Sequence, residues 1–306
     1  MKRDYFHRLL SEHVEAGAAD PAYWWDEDRI PLSSIDKRAS DLMDLTGKRA
    51  VVTGGAGMNL GQACVNRLAG MGAEVVVVDL AREAAEASGH QRWAQPPDAH
   101  AVAAAAAERW GTRVLAVHGD VMTWDGAAAV LEESRDLLGG IDILVNNAAD
   151  VAVGDFATMS AEDIDRSVRG TLTGPLYCTR LALDHMIAQG TGGRIINIGS
   201  EAGQTAMPGL TLYGALKSGL GTFTRFLSKE VAEHGIHVLG VNAGSMWGPG
   251  RAVPADGPAT LYSRSRTAIQ RYELPEEVAN MVAFLASDAA SAMTGTMVDM
   301  GGGMSV

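Results

Sequence analysis

A chain of 306 residues with 47 % apolar and 6 % aromatic side chains is long enough for one large core or two small ones. Its formal charge of −12, from 25 basic and 37 acidic residues, argues against a nucleic-acid or anionic-membrane surface and favours solubility. The two cysteines, Cys64 and Cys178, make neither a disulfide framework nor a metal-ligand spacing, and no apolar run is long enough to span a bilayer.

The first residues, Met-Lys-Arg-Asp-Tyr-Phe-His-Arg, have no apolar segment of the kind a signal peptide carries, so a reducing, cytoplasmic setting and no metal are expected. Residues 1–45 read as an arm: Leu9, Leu10 and Val14 suit one face of a short helix, and Tyr23, Trp24 and Trp25 precede an acidic run. Such an arm is expected to pack on the domain surface or on a neighbouring subunit; covering a substrate is the sharper alternative for its aromatics.

From residue 48 the pattern changes. A β-branched run over 49–53 leads into the glycine-rich turn 54–61, a helical segment over 62–71, and the apolar strand 74–79, which ends in Asp79. Strand, glycine turn, helix, strand and acid in this order form the context that makes a glycine motif credible as a dinucleotide site. Glycines let the backbone approach a pyrophosphate, and the helix N-terminus offers unpaired N–H groups and a positive dipole end. An acid about 20 residues past the glycines suits the adenine-ribose hydroxyls and repels a 2′-phosphate, which favours NAD(H) over NADP(H).

Residues 80–98 are polar and read as an insertion loop. Helices are expected over 98–110 and 124–138, strands over 113–118 and 141–145, and one long helix over 160–186. A strand over 194–198, a helix over 212–234 and a strand over 236–241 follow. The stretch 244–272, rich in Gly, Pro and Arg, reads as a substrate loop, before a helix over 276–287 and a last strand over 296–299. Strands alternate with helices throughout, and the strands are continuous apolar runs of the kind covered on both faces. The expected fold is one doubly wound α/β domain, residues 46–306, with a parallel sheet of about seven strands.

The segment 200–217 carries the chemistry. Ser200 ends an apolar strand, Tyr213 opens a helix and Lys217 follows four residues later on the same face, where Cβ atoms lie roughly 5–6 Å apart. A free phenol titrates near ~10, and a neighbouring ammonium favours the phenolate. Tyr213 can therefore exchange a proton with an alcohol or ketone while Ser200 hydrogen-bonds the same oxygen. A helix with one half-buried tyrosine and a solvated lysine fits the same spacing; the cofactor context at 54–79 favours the chemical reading.

Taken together these motifs resemble the short-chain dehydrogenase/reductase family, over about residues 46–303. The matching pieces are Thr53-Gly54 with its turn, Asp79, Asp120-Val121, Asn146-Asn147-Ala148, Ser200, Tyr213-x-x-x-Lys217 and the tail Thr294-Gly295…Val298-Asp299…Gly301-Gly302. The resemblance implies a Rossmann-like cofactor site made by Gly54, Gly57, Asn59, Leu60, Gly61, Asp79, Asp120, Val121 and Asn147, with Tyr213 and Lys217 at the nicotinamide ribose. It implies Ser200, Tyr213 and Lys217 as the catalytic set, a homotetramer or dimer, and hydride transfer between a nicotinamide and a secondary alcohol or ketone. An NADP-dependent ketone reductase and a non-catalytic scaffold subunit of a hetero-oligomer are the alternatives.

Four departures mark the chain. Met58 replaces the turn's middle glycine, with Gly57 standing in and Gly61 one residue late. Asn-Asn-Ala-Ala replaces Asn-Asn-Ala-Gly, Thr171 occupies the position of the family's catalytic asparagine, and Met246-Trp247 stands where Pro-Gly is expected. Substrate contacts are expected from Glu201, Met207, Met246 and Trp247, with 150–153 nearby. Arg251, Arg264, Arg266 and Arg271 suit either an anionic substrate group or a solvated face, and His118, His185 and His237 read as structural.

Overall fold

The computed structural model describes residues 31, 34–57, 59–87, 98–150, 152–247, 261 and 265–304. The expectations for 1–30, for Met58 and for Arg251 and Arg264 lie outside the described residues. The chain divides into two compact units, Met1–Leu42 and Met43–Val306. In the first, the described residues form a helical turn, Ala39–Leu42, preceded by Ser34 Oγ donating to the Pro31 carbonyl at 2.6 Å.

The second unit is built on seven parallel strands in the order β3-β2-β1-β4-β5-β6-β7. They are β1 Arg49–Thr53, β2 Glu74–Asp79, β3 Val114–His118, β4 Ile143–Asn146, β5 Gly193–Ser200, β6 Ile236–Ala243 and β7 Met297–Asp299. The helices between them are α1 Leu60–Gly70, α2 Arg82–Ala87, α3 Ala99–Trp110, α4 Trp124–Leu138, α5 Ala161–Val168, α6 Gly174–Gln189, α7 Thr211–Val231 and α8 Pro275–Ala286. This is the doubly wound α/β domain expected from the alternation of elements.

Successive strand residues face opposite layers, and both layers are apolar. Val52, Val75, Val77 and Leu239 pack with Cys64 and Leu68 of α1 and Val282 of α8. Val51, Val76, Val78 and Val238 pack with Leu131 of α4 and with Cys178 and Met186 of α6. Burying a side chain of this size contributes roughly 1.5–3 kcal/mol, so both faces must be covered for the sheet to hold. Each layer contains one buried cysteine, and burial pushes each thiol up to about 12.

Polar side chains also bind the middle of the sheet. Asn146 and Asn197 stand opposite each other in β4 and β5. Asn146 Nδ2 donates to Asn197 Oδ1 at 2.8 Å and to Thr179 Oγ1 of α6 at 2.8 Å, and Asn197 Nδ2 donates to Thr224 Oγ1 of α7 at 2.9 Å. All four residues are buried. A one-residue slip of β4 against β5 would strand these amides without partners.

Two expectations change. The helix expected over 160–186 is three pieces: α5, a π-helical turn Arg169–Thr173, and α6. The cause is long-range: Thr171 Oγ1 donates to the Asp150 carbonyl at 2.6 Å, and the strand exit passes so close that a Cβ on Gly170 would lie 2.8 Å from Asp150 N. The insertion 80–98 is not all loop, since α2 occupies its first part; residues 88–97 lie outside the described residues.

Candidate active site

The strand order reverses between β1 and β4, and ligands of open α/β sheets bind outside the carboxyl ends of strands at such a point. Here the point is closed by neutral hydrogen bonds. Asn147 Nδ2 donates to the carbonyls of Thr53 at 3.1 Å and Gly54 at 2.9 Å, and Thr53 Oγ1 accepts from the amides of Asn147 and Ala148. The glycine turn then folds down onto this junction. A Cβ on Gly61 would overlap the Gly54 carbonyl oxygen, so the helix approaches the strand closely only because residue 61 is glycine. The late glycine thus does the packing that a turn of this kind needs.

Around the turn, Gly57 N donates to the Gly54 carbonyl at 3.2 Å, and Asn59 caps α1 without a side-chain capping bond. Leu60 opens the helix and is buried. Asp79, at the end of β2, accepts from the amides of Ala56 at 3.0 Å and Leu80 at 2.9 Å, one on each oxygen. Burial pushes its carboxyl above the ordinary value, while these amides and His118 pull it back. Each carboxylate oxygen keeps acceptor capacity beyond these bonds. Asp79, Gly54, Asp120, Val121, Ala148 and Asp150 line one cavity of about 120 Å³. Asp120 is held in a tight turn by the Met122 amide at 2.9 Å. A shaped apolar slot, carboxylate acceptors at its rim and a helix N-terminus fit a dinucleotide.

On the neighbouring half of the sheet, Ser200 is the last residue of β5, and its Oγ accepts from the Ala202 amide at 3.2 Å, which leaves the hydroxyl proton to donate elsewhere. Tyr213 and Lys217 lie one turn apart on α7, and Lys217 Nζ is 5.7 Å from the centroid of the Tyr213 ring. The ammonium is buried, with 4 % of the residue exposed, and donates to the Ile198 carbonyl at 2.6 Å. That bond ties α7 to β5 two residues before Ser200. Burial pushes the Lys217 amine down to about 8, so it remains a cation at neutral pH.

The remaining residues fall differently. Thr171 is buried, and its hydroxyl proton is given to Asp150 O, so it fastens the exit of β4 to the π turn. Asp150 also faces Arg166 of α5, with Nε 3.5 Å from Oδ2. Glu201 is 1 % exposed and accepts from the Gly301 amide at 3.2 Å, so it holds the C-terminal tail and does not line an open pocket. Met246 packs against the core layer of α1 and α8. Met207 is half-buried and accepts from the Leu210 amide at 3.1 Å. Trp247 is 50 % exposed and shares a cleft of about 330 Å³ with Asn59, Arg67, Arg109 and Trp110. Arg271 is bidentate with Glu277, at 2.7 and 2.6 Å, which draws it away from any anionic substrate. His237 is bonded to the Met293 carbonyl at 2.8 Å.

Sequence reading named Thr53 as part of the turn motif but not as the bridge to Asn147 and Ala148, and it gave no role to Ile198 or Glu273. The first was within reach, since a hydroxyl at a strand end before a glycine turn is a ready bridge. The Ile198 carbonyl has no sequence signal at all.

A slot at the switch point of a doubly wound parallel sheet, with Ser200 ending β5 and a Tyr–Lys pair on α7, is the arrangement of the α/β class whose members bind dinucleotides. The family model described as enoyl-(acyl carrier protein) reductase matches residues 55–305. The 3-oxoacyl-[acyl-carrier-protein] reductase FabG of Aquifex aeolicus is 34 % identical over 260 residues, 85 % of this chain and 98 % of that protein. The cis-4-hydroxycyclohexanecarboxylate dehydrogenase of Sinomonas cyclohexanicum is 34 % identical over 260 residues, 84 % of this chain and 96 % of that one. A short-chain dehydrogenase of Burkholderia cenocepacia, solved in complex with NADP, superposes with a TM-score of 0.73 at 32 % identity, covering 86 % of this chain and 99 % of its own. The chain belongs to the short-chain dehydrogenase/reductase family, a family of nicotinamide-dependent oxidoreductases. Among the described residues, no helix is long and apolar enough to cross a membrane.

Proposed function

We propose that the protein is an NAD-dependent oxidoreductase that interconverts a secondary alcohol and its ketone, with Tyr213 as the acid–base group. The observation that carries this reading is the buried Lys217 ammonium 5.7 Å from the Tyr213 ring, tied to the strand that ends in Ser200. A cation held there favours the phenolate. In oxidation the alcohol proton passes to the Tyr213 oxygen while Ser200 donates a hydrogen bond to the same substrate oxygen; in reduction the phenol returns the proton. When bound, a nicotinamide supplies the hydride acceptor or donor. Gly54, Gly57, Asn59, Leu60 and Gly61 would hold its pyrophosphate, Asp79 its adenine ribose, and Asp120 and Val121 its adenine. Asn147 would support the wall beside the nicotinamide half.

The NAD preference rests on Asp79, whose carboxylate closes the slot and repels a 2′-phosphate. The NADP-linked ketone reductase is the second reading, favoured by the NADP complex of the Burkholderia relative and by Arg82 at the start of α2. The named relatives are a cis-4-hydroxycyclohexanecarboxylate dehydrogenase and a 3-oxoacyl-[acyl-carrier-protein] reductase, so cyclic hydroxy acids and 3-oxoacyl groups both belong in a substrate screen. The same reading includes a homo-oligomer, consistent with Phe226 standing 71 % exposed on α7; light scattering after gel filtration tests it.

Purified protein should be offered secondary alcohols of varied size and charge with NAD⁺ or NADP⁺, following reduced nicotinamide by absorbance. NADH formation at least tenfold more efficient than NADPH formation is the expected result. A preference for NADP⁺ selects the second reading. No turnover together with no NADH binding by fluorescence titration selects a non-catalytic scaffold.

A further inference from the structure

Two glutamates outside the Ser–Tyr–Lys set occupy one buried spot. Glu201 directly follows Ser200 and is 1 % exposed; Glu273 lies two residues before the start of α8 and is 4 % exposed. Glu201 Oε1 accepts from the Gly301 amide in the C-terminal tail, and Glu273 Oε2 accepts from the Gly244 amide where β6 leaves the sheet, both at 3.2 Å. Those two glycines touch: a Cβ on Gly244 would lie 2.7 Å from Gly301 Cα and 2.6 Å from Glu273 Oε1, and a Cβ on Gly301 would overlap the Glu201 side chain. Each glutamate thus grips one side of the same contact between tail and loop root.

Glu273 holds the loop root in three ways. Beside the side-chain bond, its amide donates to the Ser245 carbonyl at 3.0 Å and its carbonyl accepts from the Trp247 amide at 2.8 Å, making a one-residue bridge to Met246. Its second oxygen, Oε1, is buried without a hydrogen-bond partner among the described residues.

We propose that Glu201 and Glu273 are positioning residues: a proton-holding carboxyl clasp that fastens the loop root Gly244–Trp247 to the tail beside Ser200, closed when one proton is on the pair and loosened when both are charged. This assignment rests on neither the substrate nor the cofactor preference. Two anions in one buried pocket repel each other, and a single proton removes the repulsion and turns one oxygen into a donor. Among the described residues, the charged groups facing Glu273 are Glu201 from the turn after β5, Glu277 from α8, and Arg271 from its own segment. Arg271 is bidentate with Glu277, so it offsets the charge of Glu277 before that of Glu273. Burial and the Glu201 charge push the Glu273 carboxyl up to about 7.

The sign follows from that direction. A carboxyl raised in the closed form binds its proton more tightly there than in the open or unfolded form, whose ordinary value is 4.5. The clasp's contribution is complete below that ordinary value and is lost as pH rises through about 7. The test is hydrogen exchange at the amides of 244–247 and thermal unfolding, from pH 6 to 8.5, with exchange corrected for its intrinsic pH dependence. Wild-type protection of this segment should fall by at least about tenfold over that range, and its Tm should fall by several degrees more than that of Glu273→Gln. Glu273→Gln should keep its protection, because a neutral amide cannot gain the second charge. Parallel profiles in wild type and Glu273→Gln would overturn the proposal. Should Glu273→Gln fail to fold, Glu201→Gln carries the same test: with one carboxyl left the pair cannot become doubly charged, so protection of 244–247 should persist to pH 8.5, and a loss like that of the wild type overturns the clasp.

Discussion

The two halves of the sheet's carboxyl edge are built by opposite means. Where β1 meets β4, the glycine turn, Thr53 and Asn147 are joined by uncharged hydrogen bonds, and two of the carboxylates around the slot, Asp79 and Asp120, are held by backbone amides. Across β5 and β6 three of the most deeply buried charged side chains of the described residues gather: Lys217, Glu201 and Glu273. The first half is held chiefly by neutral bonds and backbone amides, whereas the second buries groups whose protonation is shifted from its value in water because burial disfavours charge.

Substitutions separate the halves. The largest effect is expected from Tyr213→Phe, which should lower kcat by about 10²–10⁴ while leaving NADH affinity by fluorescence titration within about twofold. Equal loss of both would mean that the tyrosine belongs to the cofactor wall. Lys217→Met comes next and should trade turnover for stability. The lysine's depressed pKa means that the folded chain binds fewer protons than the unfolded one between about 8 and 10.5, so stability rises with pH across that window. Below it the buried ammonium is a cost, and Lys217→Met should raise stability at pH 7 by about 2 kcal/mol after allowance for the orphaned Ile198 carbonyl. That gain should vanish above the window in urea titrations; an equal gain at all pH values would show that the ammonium is not strained.

Asp79→Ala should raise the KM for NADH by about tenfold, roughly 1.4 kcal/mol, and move the ratio of kcat/KM values toward NADPH. No change in that ratio would remove Asp79 from cofactor selection. The smallest effect is expected at the seam between the halves. Thr171→Val should cost about 1 kcal/mol by removing the hydrogen bond to the Asp150 carbonyl, with kcat within about tenfold of wild type and Thr171→Ser restoring stability. A loss as large as that of Tyr213→Phe would make Thr171 part of the proton path.

Much of this was legible in residue order, because it depends on local period and spacing. Continuous apolar runs marked the strands, an acid at the end of the second strand marked the rim of the switch-point slot, and the four-residue step from Tyr213 to Lys217 marked the helix face. What escaped depends on contacts between distant segments. The π turn at Arg169–Thr173 arises from the passage of Asp150 across Gly170, and no helix propensity signals it. Glu201 reads as a polar lining residue until Gly301, a hundred residues away, takes its carboxylate. Met246 and Trp247 are adjacent in the chain, yet one packs inward and the other faces a cleft with Arg67 and Arg109. Glu273 follows directly on the arginine-rich stretch 244–272, and only the fold shows that it turns toward Gly244.

The two thiols offer a use unrelated to chemistry at the site. Cys64 lies in one apolar layer and Cys178 in the other, with 0 % and 1 % of each residue exposed. A thiol-specific reagent can reach either one only when its own side of the sheet opens. The protein therefore carries two natural clocks, one per face. Their labelling rates, read separately by mass spectrometry, would show whether the layers separate together in one cooperative event or peel away in sequence.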